Sequence, residues 1–325
     1  MIDARTLVPA VLCIVAVLAI APFSPHSTQS LRNSSDRIEA PEVESALVQL
    51  RSEVVDGAKL RKTAADTSIA PKASRPSATA ISCALLRACY PEAGEWPWIC
   101  VDEDSDGACE YILEVDPWNI ESAEGYACIE YNCSTGVVHY FQDLQRIVQR
   151  NREHWVHGYP EIYYGFKPWS GLYAADGIVS LPAEVSELGS LIVKVDYRIA
   201  HEEGLPVNLA VESWLTREEF RKGGVREGDV EVMVWLYYSG IRPAGSRVGS
   251  IAVPLLVGGR EISAVFEVWI AYMDWIYVTL ALEEPLSEGD VVLPYGLILA
   301  RALEYAGVSG VLYLEDVDVG AEYGA

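Results

Sequence analysis

The sequence predicts an all-β sandwich with a single packed helix, and two patterns carry the prediction. From Ile81 onward, short runs rich in Val, Ile, Tyr and Trp alternate with Gly, Pro, Asn and Asp turns, the signature of many antiparallel strands. Only Leu293 to Ala306 breaks that pattern, with good helix formers, Pro294 in the first turn and Gly307 at the C-terminal cap position. No repeat recurs at a fixed period, which argues against a propeller or solenoid.

The strand elements read individually. In SLIVKVDYRI, Val193, Val195 and Tyr197 alternate with Ile192, Lys194, Asp196 and Arg198, a half-buried strand. NLAVESWLT places Glu212, Trp214 and Thr216 on one face and Val211, Ser213 and Leu215 on the other. EVMVWLYYSG places Glu231, Met233 and Trp235 together, opposite the core-forming Val232, Val234 and Leu236. If these strands pair, Glu212 stands beside Glu231 and repulsion raises the pKa of one of them. VFEVWIAYMDWIYVTLAL reads as one long strand or a pair, and LYLEDVDVGAEYGA aligns Glu322 with Asp318 and Gly320.

The N-terminal part has a different character. Leu7 to Phe23 is an apolar run too short for a membrane span but suited to a signal peptide, with Ala19 and Ala21 resembling a cleavage site. Residues 1–23 therefore read as a leader or uncleaved anchor. Residues 24–80 are rich in Ser, Thr, Ala, Pro and charge and read as a linker, in which Val43, Leu47, Leu50 and Val54 are spaced for a short helix. Residues 81–325 form the folded domain. Cys83, Cys89, Cys100, Cys109, Cys128 and Cys133 fall in one stretch, an even count that in an exported chain implies disulfides with the pairing left open.

Composition narrows the function. A net charge of −23, from 47 acidic and 24 basic residues, disfavours nucleic acid and anionic membranes as partners. Nine Trp and 18 Tyr against five Phe suit a surface that holds a flat, hydroxylated ligand. No Gly-x-Ser-x-Gly elbow, P-loop or Gly-x-Gly-x-x-Gly follows a strand. The cysteines lack Cys-x-x-Cys spacing, and His26, His139, His154, His157 and His201 form no zincin motif, so neither metal nor cofactor is expected. Paired glutamates beside indoles fit glycoside cleavage, in which two carboxyl groups flank the scissile bond about 5–5.5 Å apart for retention and about 6.5–9.5 Å for inversion.

Several segments in order resemble glycoside hydrolase family 12, particularly its archaeal endoglucanases. PWNI, HGYPEIYYGFKPW, NLAVESWLT, EVMVWLYYSGIRPAGSRVG, VFEVWIAYMDWIYVTLAL, the late helix and VGAEYG each have a counterpart, covering Pro117 to the end. The resemblance implies a jelly-roll β-sandwich of two antiparallel sheets with a concave substrate cleft, and an exported, monomeric retaining endo-β-1,4-glucanase acting on β-glucan chains. It implies Glu231 as nucleophile, Glu322 as acid/base and Glu212 as the carboxyl hydrogen-bonded to the nucleophile. Met233 and Trp235 would floor the cleft, Trp118 and Asn119 would hold a sugar, and Pro243, Ala244 and Gly245 would form the bordering turn. The family pattern has Asp where Glu212 stands, and the six-cysteine segment is atypical. A non-catalytic carbohydrate-binding sandwich is the alternative, with xyloglucan or mixed-linkage glucan as other substrates; an anchored adhesion protein is a third reading.

Overall fold

The computed structural model describes residues 19–21, 85–174 and 179–324. It begins with β1 (Ala19–Ala21), β2 (Leu86–Tyr90), β3 (Trp98–Val101), β4 (Tyr111–Glu114), β5 (Ile120–Asn132) and β6 (Val137–Gln149). Next come β7 (Val156–Gly158), β8 (Glu161–Phe166), β9 (Tyr173–Ala174), β10 (Ala183–Glu184) and β11 (Ile192–Arg198). The central strands are β12 (Val207–Thr216), β13 (Val230–Ser239), β14 (Ser246–Val257), β15 (Arg260–Tyr272), β16 (Ile276–Leu282) and β17 (Glu288–Leu293). Helix α1 (Tyr295–Ala306), β18 (Tyr313–Leu314), β19 (Asp316–Gly320) and β20 (Tyr323–Gly324) complete the chain.

The result is a jelly-roll β-sandwich. One layer runs β3–β4–β8–β19–β12–β13–β16–β15–β14. The other contains β1–β11–β17 and the three-stranded β2–β5–β6. β14 belongs to both layers, because it pairs with β15 along its length and with β17 at Leu256 and Val257. One pairing departs from the antiparallel expectation: β13 and β16 run parallel, Glu231 beside Tyr277 and Met233 beside Thr279.

Period-two alternation explains which side chains meet between the layers. Val211 and Leu215 of β12, Val232 and Val234 of β13, and Val278 and Leu280 of β16 join Val193 and Val195 of β11 in one core, all fully buried. Burying each such side chain stabilises the fold by about 1.5–3 kcal/mol. Alternation fails at one place, a bulge in β13 where the register skips Leu236. Leu236 and Tyr237 both pack against the core, and Tyr238 is thereby returned to the opposite face.

The helix forms where the sequence places it. Pro294 stands at its N-terminal cap, and Gly307 (φ +65°) takes the left-handed turn that ends it, with Val308 N–H donating to Leu303 O at 3.0 Å. Tyr295 anchors it by donating to Ser213 Oγ at 2.9 Å. The cysteines pair Cys89–Cys128, directly across β2 and β5, and Cys100–Cys109, and Cys133 is also in a disulfide.

Of the expected leader, only Ala19–Ala21 lies within the described residues, as a short strand against Ile192–Lys194 of β11. The expected helix at Val43 to Val54 lies outside them. No helix among the described residues is long and apolar enough to cross a membrane.

Candidate active site

The face of the β12 sheet turned away from the core gathers the predicted residues. Trp214 stands opposite Glu231 and Glu212 opposite Met233, so Glu212 and Glu231 are diagonal neighbours rather than a facing pair. From β19, Asp318 stands beside Glu212 and Gly320 beside Ala210. Tyr159 lies flat over Gly320, where a Cβ would come within 2.6 Å of its ring, and donates its hydroxyl to Asp318 Oδ1 at 2.8 Å. Met233 and Trp235, each 1% exposed, pack with Tyr159, Ala210, Tyr277 and Ala281 into a closed floor.

Glu231 is buried, and its Oε2 accepts a hydrogen bond from Trp275 Nε1 at 2.6 Å. Glu322 is half-buried between two ladders: β19 pairs with β12 before it and β20 with β7 and β12 after it. Its holder is Asn208, whose Nδ2 donates to Glu322 Oε2 at 2.5 Å and whose Oδ1 accepts from Glu322 N–H at 2.8 Å. The main chains add Asn208 N–H to Glu322 O at 3.0 Å. Rigidity thus comes from both sides of Glu322.

Both carboxyls are displaced upward. Burial pushes Glu322 to about 7, opposed by the Asn208 amide. Burial pushes Glu231 to about 8, with Trp275 N–H opposing, the Glu322 charge adding, the Lys167 charge opposing and the Asp318 charge adding. In the free site Glu322 thus titrates below Glu231, both of them near neutrality, so one carboxyl is an acid while the other is an anion over that interval and the order runs against an anion on Glu231. Trp275 and Lys167 both favour the anion on Glu231. Glu212 is raised well above the carboxylate range by burial first and by the Asp318 charge, with the Lys167 charge opposing.

Asn208→Ala is expected to move the alkaline limb of the pH–rate profile upward, because the lost amide had favoured ionised Glu322. Stability should fall by about 1 kcal/mol. A limb left in place, read by kcat/KM against pH, would show that Asn208 does not act on Glu322.

Some assignments need correction. Asn119 is 1% exposed and its amide is spent on the backbone, donating to Val156 O at 2.7 Å and Asn151 O at 3.0 Å and accepting from Asn151 N–H at 2.7 Å. It pins the loop after β6 and has no group left for a sugar. Trp118 next to it is half-buried, edge-on to His154 with ring centroids 5.6 Å apart, and packs against the floor. Met233 and Trp235 are too enclosed to be stacking surfaces themselves. Pro243, Ala244 and Gly245 turn the chain between β13 and β14. Gly245 (φ +81°) is required there, since a Cβ would lie 2.0 Å from Ile270 O.

Asn208, Trp275, Trp169 and Lys167 were not singled out by sequence. Asn208 shares the alternating face of Glu212 and was readable; Trp275 sits in the β15–β16 turn, where alternation says nothing. Trp169, 52% exposed, meets Trp214 and Trp275 edge-on at centroid distances of 5.7 and 6.0 Å, an aromatic wall beside Glu231. Among the described residues, the group of side chains suited to a metal ion is Asp102, Asp104 and Asp106, carboxylates within 4.8 Å of one another on the β3–β4 loop. The Asp-x-Asp-x-Asp-Gly spacing was legible in the sequence. These oxygens also accept turn hydrogen bonds from Asp106, Gly107 and Ala108 N–H, which account for the loop by themselves.

Comparison with known proteins agrees with the fold. Among solved structures, the chain is similar to endoglucanase Cel12A from Rhodothermus marinus, with 24% identity and a TM-score of 0.56 over 74% of this chain and 93% of that one. A metagenome-derived family 12 endoglucanase gives 23% and 0.54 over 74% and 90%. The family 12 xyloglucanase from Bacillus licheniformis gives 20% and 0.52 over 66% and 86%. At these identities the likeness speaks to fold. No curated protein sequence matches the chain. The sequence profile described as glycosyl hydrolase family 12 matches residues 109–298, which include Glu212 and Glu231 and stop short of Glu322. The chain thus belongs to glycosyl hydrolase family 12 and is a glycoside hydrolase.

Proposed function

We propose that the protein is an exported endo-β-1,4-glucanase that cleaves β-glucan chains with retention of anomeric configuration. The observation that supports this most directly is that Glu231 and Glu322, 91 positions apart by number, meet the same face of β12, Glu231 opposite Trp214 and Glu322 held by the Asn208 side chain. Glu231, as the anion held by Trp275, attacks the anomeric carbon while protonated Glu322 gives its proton to the departing oxygen. Water then attacks the glycosyl-enzyme, Glu322 takes the water proton, and Glu231 leaves as the carboxylate. Trp169 and Trp118 offer ring surface to pyranose units on either part of the face.

The relatives of similar fold include both endoglucanases and a xyloglucanase, and a β-1,4-linked glucose backbone is the chemistry that their substrates share. Export is supported by the apolar run Leu7 to Phe23 and by the disulfides. We read the enzyme as a monomer without a cofactor.

Proton NMR of cello-oligosaccharide hydrolysis tests the proposal: the β-anomer of the new reducing end should appear first and mutarotate later. First appearance of the α-anomer would overturn retention. Binding to β-glucan without new reducing ends would instead indicate a carbohydrate-binding sandwich.

A further inference from the structure

Beside the floor, on the same face of β12 and β19, lies a cluster of acids around one base. Lys167 is 5% exposed, and its Nζ donates to Glu161 Oε2 at 2.7 Å and to Asp318 Oδ2 at 2.8 Å, with Asp316 Oδ2 at 3.5 Å and Glu212 Oε1 at 3.9 Å. The rings of Tyr159 and Tyr163 flank it at 5.8 and 5.6 Å. Glu114, bonded to Tyr163 OH at 3.1 Å, and Asp116 complete the surroundings. No other Lys or Arg among the described residues pairs with any of these six carboxyls. Glu161, Glu212, Asp316 and Asp318 are buried, and one ammonium cannot neutralise four carboxylates away from water, so some of them carry protons. Glu161 Oε1 and Asp316 Oδ2, buried without hydrogen-bond partners, are places for those protons.

This cluster is coupled to the cleft through Glu212 and Asp318, which face each other on β12 and β19. Glu212 is in turn the diagonal neighbour of Glu231. The groups facing Glu231 are Glu212 and Trp214 from β12, Tyr277 from β16, Trp275 from the β15–β16 turn and Glu322 beyond β19. Trp275 supplies a donor, and none of the others is a cation.

We infer that Lys167 is a positioning residue for the reaction: a buried ammonium, held by Glu161 and Asp318, whose field favours the ionised form of Glu231 from further along the same face of the sheet. The inference rests on the reading of Glu231 as nucleophile. The field acts in the direction the site requires, since Lys167 lowers the pKa of Glu231 and Asp318 raises it. Lys167 touches no substrate.

The test uses 2,4-dinitrophenyl β-cellobioside, whose leaving group departs without an acid, so kcat/KM against pH reports Glu231. Lys167→Met should move the acid limb upward by roughly 0.5–1 pH unit, and Asp318→Asn should move it downward. Opposite displacements from adjacent buried substitutions follow from charge and not from loosened packing. If both folded variants lose rate equally at every pH with the limb fixed, the inference is overturned. If Lys167→Met does not fold, Asp318→Asn decides alone, and a limb that stays or rises overturns it. Glu231→Gln is the control: wild-type turnover of the aryl cellobioside by that variant would remove the nucleophile assignment itself, whereas an inactive Glu231→Gln with unmoved limbs in the other two would remove only the role of Lys167.

Discussion

Glu231→Gln is expected to reduce turnover of a soluble β-glucan by about 10⁴-fold or more, the scale on which removal of an attacking group lowers catalysis. Gln has the shape of Glu but cannot form the glycosyl-enzyme. The amide removes a carboxyl that burial had already disfavoured, so thermal unfolding should match or exceed the wild type. Glu322→Gln should lose glucan hydrolysis on a similar scale while retaining kcat/KM on the dinitrophenyl cellobioside, because its proton is needed only by a poor leaving group. Reducing-sugar release and aryl release measured on the same preparations check both. Near-normal glucan hydrolysis by either variant would take that residue out of the mechanism.

The second large effect concerns stability against pH, and its direction is unusual. Burial pushes Asp116 and Asp316 to about 8 and Glu315 and Glu322 to about 7. Their unfolded counterparts titrate near 3.8 for Asp and 4.5 for Glu. A carboxyl whose folded pKa lies above its unfolded one adds stability that is complete below the unfolded value and disappears as pH rises through the folded one. Lys167, raised well above 10.5 by its carboxylate partners against the opposing effect of burial, acts in the same direction at higher pH.

One pKa unit is worth about 1.4 kcal/mol, and after allowance for relaxation on ionisation the combined loss is on the order of a few kcal/mol. For a domain of this size that is roughly 10 °C in Tm. Thermal unfolding at constant ionic strength should therefore be highest near pH 5 and lower at pH 8. A melting temperature that is flat or rises over that interval would mean that these acids are ionised and compensated in the folded state.

How much of this was legible follows from what alternation can encode. A period of two fixed the faces of β12 and β13, and with them Glu212, Glu231, Met233 and Trp235. Helix punctuation by Pro294 and Gly307 fixed α1. Register is not in the pattern, so Glu212 could be placed near Glu231 but not diagonal to it. Nor is strand order, so the parallel β13–β16 pair and the Tyr277 contact were invisible. The Lys167 cluster joins β4, β8, β12 and β19 with the segments beside them, and nothing local announces it beyond a single lysine within an otherwise apolar YYGFKPW run. Asn119 was misjudged because a polar residue beside Trp118 looks the same in sequence whether it meets a ligand or three backbone groups.

The single inserted residue at Leu236 has a further consequence. Upstream of it lie Glu231, the proposed nucleophile, and the apolar floor; downstream lies Tyr238, turned the same way only because the step was added. Moving that insertion along β13 would exchange which aromatic groups line the groove while leaving the attacking acid where it is. The strand thus carries Glu231 and Tyr238 on one face in two separate registers, so that a change in the second leaves the first in place.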